Sequence, residues 1–135
     1  MVVLLWAGMV LGISFLESPV KFTAPTLTRA VGLDVGRHVF QAFNKVEIAW
    51  ALAGVWLALA GRPGRRIAVP IALAVLFLLV QTFFLLPALD RRTGMIIAGQ
   101  TPPPAPYHLL YIALEVGKLL ALAGAGILLA SRGHR

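Results

Sequence analysis

Glu115 and Lys118 stand inside an apolar run that extends from about Tyr107 to Ala130. With His108 and Tyr111 they follow the spacing i, i+3, i+7, i+10, which lays all four along one face of a helix. At 1.5 Å of rise per residue, Glu115 falls ~12 Å past Tyr107, and Lys118 about one turn deeper. A charged side chain at mid-bilayer costs ~2.5–3.5 kcal/mol on insertion scales, so such a stripe must face protein or water. A second apolar run carries Lys45 and Glu47, with Asn44 beside them, and a third brings Gln81. Glu47, Glu115, Lys118, Lys45, Gln81 and Tyr111 therefore make up the expected polar cluster. One reading is an ion-pair network that fixes helix register: Glu115 with Lys118 or Lys45, and Glu47 with Lys118. The other is a polar pocket or a proton or cation path lined by Glu47, Glu115, Lys118 and Gln81, because carboxyls in apolar surroundings are suited to carry protons. A third places Lys45 and Glu47 at the surface, if their helix begins later than its hydropathy suggests.

An outer mouth to this cluster is expected at Glu17, Lys21, His38 and His108. Glu17 and Lys21 stand at i, i+4, the favourable order for an ion pair, and Pro19 between them frees a backbone carbonyl. A structural bend follows from that pattern; a gate or ligand contact is the sharper alternative. His38 and His108 near the ends of two helices suggest axial haem ligation, or a metal site of two histidines and two carboxylates. Histidines at membrane interfaces are also simple anchors. No cofactor, metal ligand or catalytic residue is assigned. No Ser/His/Asp set, nucleotide loop or zinc motif is present, Gly94 and Gly99 do not form a phosphate cradle, and the sequence points away from an enzyme. His134 receives no role.

The elements that must hold these residues are helices in lipid. The chain has 135 residues, 59% of them hydrophobic and 13% charged. That charged share is about half the usual one for a soluble domain, and a small soluble fold could not hide so much apolar surface. Four spans are expected, at about 1–16, 39–60, 67–89 and 107–130, each close to the ~20 residues that cross a bilayer core. They form a single membrane domain. Helices are expected over strands because no segment alternates as a membrane barrel does. The first run lacks the basic start of a cleaved signal peptide.

Three connections join the spans. Gly61-Arg62-Pro63-Gly64-Arg65-Arg66 is a tight basic turn. The others, at 17–38 and 90–106, are expected at the interface. Leu27, Val31, Val35 and Val39 recur every four residues, which suggests a short amphipathic helix there, weakened by Gly32 and Gly36. Pro102-Pro103-Pro104 marks an extended approach to the last span. Ala113, Gly117, Ala121 and Ala125 form a small-residue stripe roughly opposite the polar one, which gives that helix neighbours on both sides or an oligomer contact.

The net charge of +7 comes from twelve Lys/Arg against five Asp/Glu. Most of it flanks apolar runs, so anionic lipid headgroups are the expected partner and nucleic acid is not. A homo-oligomer or a membrane-complex partner is also expected. Arg62, Arg65, Arg66, Arg132 and Arg135 argue for both termini in the cytoplasm, although Lys21, Arg29, Arg37, Arg91 and Arg92 nearly balance them. Cysteine is absent, so there is no disulfide frame or thiolate site.

A weak repeat runs through the chain. A shift of 70 positions sets His38 on His108, Val46 on Val116, and Ala51-Leu52-Ala53-Gly54 on Ala121-Leu122-Ala123-Gly124. The first and third spans align at a slightly different offset, with Ser14-Phe15 and Pro19 on Thr82-Phe83 and Pro87. Either the bundle is a 2+2 internal duplication, which would be a parallel repeat, or residues common in all membrane helices coincide.

The run Gly12-Ile13-Ser14-Phe15-Leu16-Glu17-Ser18-Pro19-Val20-Lys21-Phe22, then Ala24-Pro25 and Gly36-Arg37-His38-Val39-Phe40, resembles the first half of small four-helix bacterial membrane proteins classed as a domain of unknown function. The likeness covers roughly residues 8–55. It implies four helices and an inner-membrane location, with no activity or catalytic residue. Three functions are expected in order: transport or ion and proton conduction through the polar cluster, an accessory or scaffold subunit of a membrane complex, and a haem- or quinone-linked redox protein using His38 and His108.

Overall fold

In the computed structural model, which describes residues 1–133, four helices form a bundle and no strand occurs among the described residues. They are α1 (Val2–Lys21), α2 (Arg29–Gly61), α3 (Arg65–Ile97) and α4 (Tyr107–Arg132), each long and apolar enough to cross a membrane. The helices form a ring in chain order, in which α4 lies between α3 and α1 and α2 closes the circle between α1 and α3.

The ends of the helices follow from local chemistry. Thr28 is extended and its hydroxyl accepts the backbone N–H of Val31 at 3.3 Å, which caps α2. Arg62 closes α2 in the left-handed region at φ 43°, and Gly64 opens α3 at φ 85°. Pro63 between them permits no further helix. Arg132 Nη1 donates to the Pro63 carbonyl at 2.5 Å and ties the end of α4 to this turn. Pro102–Pro104 lie in the non-helical approach to α4, and Arg92 donates to the Pro103 carbonyl.

The helices are longer than the hydropathy of the sequence suggests. The segment at 29–38 is no separate interfacial helix but the first turns of α2, and α3 continues to Ile97. Gly32 does not break α2 there, because it lets Phe22 pack on the helix: a Cβ at Gly32 would lie 2.5 Å from the Phe22 ring. At 33 residues each, α2 and α3 run about 50 Å, beyond the ~30 Å hydrocarbon core. Their surplus lies at the end away from Arg62, where Gln41 donates to Asp90 at 3.1 Å and Arg37 pairs with Asp34 at 2.8 Å and with Asp90 at 3.8 Å.

Two helices carry a wide turn. Residues Leu11–Glu17 of α1 and Gln81–Leu85 of α3 are π-helical. Ser18 N–H reaches back to Ile13 O, and Leu86 N–H to Gln81 O, five residues in each case. Each bond directly precedes a proline, Pro19 or Pro87. A proline ring clashes with the carbonyl four residues back, and a widened turn moves that carbonyl aside. Pro19 thus follows a wide turn, and the same arrangement recurs at Pro87.

The apolar core lies at the Arg62 half of the bundle. Val3, Trp6 and Val10 of α1 are buried against Ile67, Ile71, Ala74 and Leu78 of α3 and Leu122 and Ala125 of α4. Close approach of α3 and α4 depends on Gly117, where a Cβ would lie 2.8 Å from the Phe77 ring.

Candidate functional site

Near the middle of the ring every helix turns a polar group inward. Lys118 and Glu115 come from α4, one turn apart, Glu47 from α2, and Gln81 from the wide turn of α3. All four are buried, with Lys118, Glu115 and Gln81 at 0% exposure and Glu47 at 1%. The Lys118 ammonium has three donors and uses each: 2.6 Å to Glu115 Oε1, 2.6 Å to Glu47 Oε1 and 2.7 Å to Gln81 Oε1. Gln81 Nε2 donates to Glu115 Oε1 at 2.7 Å and lies 3.5 Å from the Tyr111 carbonyl. Gln81 therefore bridges the cation to one of its anions.

Two side chains from α1 complete the shell. Trp6 Nε1 donates to Glu47 Oε1 at 2.8 Å, and the Ser14 hydroxyl donates to Glu115 Oε2. Sequence reasoning misses both, since tryptophan and serine are ordinary residues of membrane helices. The one available signal for Ser14 is its alignment with Thr82, next to Gln81. Glu47 Oε2 is buried and has no hydrogen-bond partner among the described residues. Two carboxylates against one ammonium leave the centre one positive charge short of neutrality.

Lys45 does not join this centre. It is exposed and lines a cavity closer to the loop end. Two residues along a helix are roughly 200° around it, so Lys45 and Glu47 share a depth but not a face. Tyr111 is buried, its ring edge-on to Phe40 at 5.5 Å, and it too lines that cavity.

This cavity, a vestibule of about 430 Å³, opens between the ends of α1 and α4 and the base of the α2–α3 projection. Its floor holds Asn44, Thr82 and Tyr111, each within one turn of Glu47, Gln81 or Glu115 on its own helix. Asn44 Nδ2 donates to Thr82 Oγ1 at 2.8 Å, and Thr82 in turn donates to the Leu78 carbonyl at 2.7 Å. A polar floor thus separates the vestibule from the ion centre. On the opposite side the centre is sealed by the apolar layer of Trp6, Ala51, Ala74, Leu78 and Leu122. Beyond that layer a second, mostly apolar cavity of about 420 Å³ reaches from Val3, Gly54 and Ile71 to Arg132.

The residues expected at the mouth divide. Lys21 and His108 line the vestibule. Glu17 pairs with Lys21 at 3.5 Å behind the wall. His38 does not line it: its side chain is 69% exposed and its Nδ1 lies 2.8 Å from the Asp34 carbonyl of its own helix. The two histidines therefore do not face one cavity. No group of three His, Cys, Asp or Glu side chains gathers as a metal site among the described residues. His134 and Arg135 lie outside the described residues. No family model, curated protein or solved structure matches the chain.

Proposed function

We propose that the chain is a multi-pass membrane protein that conducts protons or a small cation through the Glu47–Lys118–Glu115 centre. One observation carries the reading: a carboxylate oxygen, Glu47 Oε2, is buried without a partner among the described residues, in a centre that holds one cation and two acids. Uptake of a proton there would balance the charge, and the polar floor of Asn44, Thr82 and Tyr111 supplies the approach from the vestibule. Ionisable groups inside a membrane bundle mark ion and proton pathways by default.

The bundle is further proposed to be a 2+2 duplication. Val3, Trp6 and Val10 are buried on α1, and Ile71, Ala74 and Leu78, each 68 positions on, are buried on α3. The two wide turns, each followed by a proline, obey the same offset. The location proposed is a bacterial inner membrane with both termini in the cytoplasm. Arg62, Arg65 and Arg66 directly abut two spans, and Arg132 is bonded to the same turn.

The test is flux in proteoliposomes that enclose a pH-sensitive dye, under a potassium diffusion potential. Wild type should acidify or alkalinise the lumen on imposing the potential. Glu47→Gln, Glu115→Gln and Lys118→Met should each abolish the flux. An accessory or scaffold subunit is the second reading, favoured by the way every donor of Lys118 is satisfied. That reading gains if wild type shows no flux, the three variants lower stability alone, and a partner copurifies. A redox role through His38 and His108 has less support, because only His108 faces the vestibule; a purified protein without a Soret band would end its haem form.

A further inference from the structure

The vestibule has walls and charges of its own, and they are distinct from the buried centre beneath its floor. Its volume of about 430 Å³ falls in the ~300–1,000 Å³ range of small-molecule sites. Three cations and one acid line it: Lys21, Arg37, Lys45 and Asp90. Asp90 is already engaged, since Arg37 lies 3.8 Å from it and Gln41 donates to it at 3.1 Å. Arg37 is held a second time by Asp34 at 2.8 Å. That leaves two ammonium groups.

Lys21 is the more informative of the two. Its side chain is only 11% exposed, and its one ion-pair contact among the described residues is Glu17 at 3.5 Å. A Cβ at Gly36 would come 3.1 Å from its Nζ, so the glycine makes room for the ammonium in the wall. Lysine ordinarily extends its head to water; here the ammonium is kept in the wall, 3.5 Å from Glu17 and 5.4 Å from the centre of the Phe22 ring, and neither contact uses up its three donors. Lys45 is exposed at the same cavity and has no ion-pair partner among the described residues. The remaining lining is largely apolar, with Phe22, Phe40 and Leu86 among it, and Tyr111 braces the Phe40 ring edge-on.

We propose that the vestibule binds an organic anion: a single carboxylate or phosphate head received by Lys21, with Lys45 as a second cation on the same cavity, on an apolar body packed against Phe22, Phe40 and Leu86. The site requires no ion flux and stands or falls separately from the conduction reading. The same chemistry could reach it from the water or from the membrane, as a soluble carboxylate or as an acidic lipid.

The experiment is titration calorimetry on the full chain in a neutral maltoside detergent, with three probes that each carry a straight eight-carbon chain. Octanoate or octyl phosphate should bind at one site, and octyltrimethylammonium should not. Lys21→Met should weaken the anion roughly tenfold to hundredfold, the expected loss of a charged hydrogen-bond partner, and Lys45→Met should weaken it by less, through the lost charge alone. Arg65→Gln, at the far end of the bundle, should leave the affinity unchanged. Lys45 is exposed, so its variant keeps the test alive if Lys21→Met does not fold. Repeating the titration in phosphatidylglycerol and phosphatidylcholine nanodiscs separates the sources. Competition by phosphatidylglycerol supports an acidic lipid, and equal affinity in both supports a soluble anion. The proposal is overturned if the quaternary amine binds as tightly as octanoate, or if both folded lysine variants bind the anion like wild type.

Discussion

Lys118 holds together side chains from three helices, and removing its charge leaves Glu47 and Glu115 as neighbouring acids with no cation between them. Breaking a buried ion pair from one side costs ~3–5 kcal/mol, whereas replacing all members together is often neutral. Lys118→Met should therefore lower stability by about that amount, measured as unfolding in detergent. Combining it with Glu47→Gln and Glu115→Gln should recover most of the loss. A triple variant no more stable than Lys118→Met would mean that the charges do not act as a unit. Gln81→Leu should cost less, about 1–3 kcal/mol, because it strands one donor of Lys118 and one lone pair of Glu115. The residues of this centre were largely legible in the sequence, since an ion in a greasy run is an anomaly that demands a partner. Trp6 and Ser14 were not, because neither is anomalous there. Lys45 departs from the centre because it shares the depth of Glu47 but not its face of the helix.

At the scale of the element, the wide turns and the glycine contacts decide where side chains point. Gln81 sits at the start of one wide turn and Ser14 within the other, and both donate to Glu115. Without the extra residue per turn, everything on one side of it would rotate relative to the other. Gly117→Ala should push α3 and α4 apart, because the new methyl would meet the Phe77 ring at 2.8 Å. The expected cost is about 1–3 kcal/mol, seen as a lower melting temperature. Gly124→Ala, where a Cβ meets nothing within 4 Å, should leave it unchanged. Four helices, the basic turn and the repeat of Pro19 and Pro87 could all be read from hydropathy and spacing. The true length of α2 and α3 could not. Their polar ends look like loops when only apolar runs are counted, and their helicity there depends on Phe22 covering Gly32 and on Asp90 joining the two helices through Arg37 and Gln41.

At the scale of the whole molecule, the two ends differ. Arg62, Arg65, Arg66 and Arg132 crowd one end, while the other mixes Lys21, Arg29, Arg37, Arg91 and Arg92 with Glu17, Asp34 and Asp90. The chain has no cysteine, so single replacements report topology without background. Arg65→Cys should react with a membrane-impermeant maleimide only from the cytoplasmic side, and Arg29→Cys only from the other; the reverse pattern inverts the proposed orientation. A further asymmetry lies in helix length. At 20 residues, α1 measures about 30 Å, no more than a typical acyl core, whereas α2 and α3 overshoot it. In a thicker membrane the long pair can simply sink, but α1 ends in Glu17 and Lys21, whose charges resist being drawn into acyl chains, and mismatch costs fractions of a kcal/mol per Å. Since α1 supplies Trp6 and Ser14, lengthening the lipid tails would strain the contacts of Glu47 and Glu115 through that helix, making the thickness of the host bilayer a control on the ion centre.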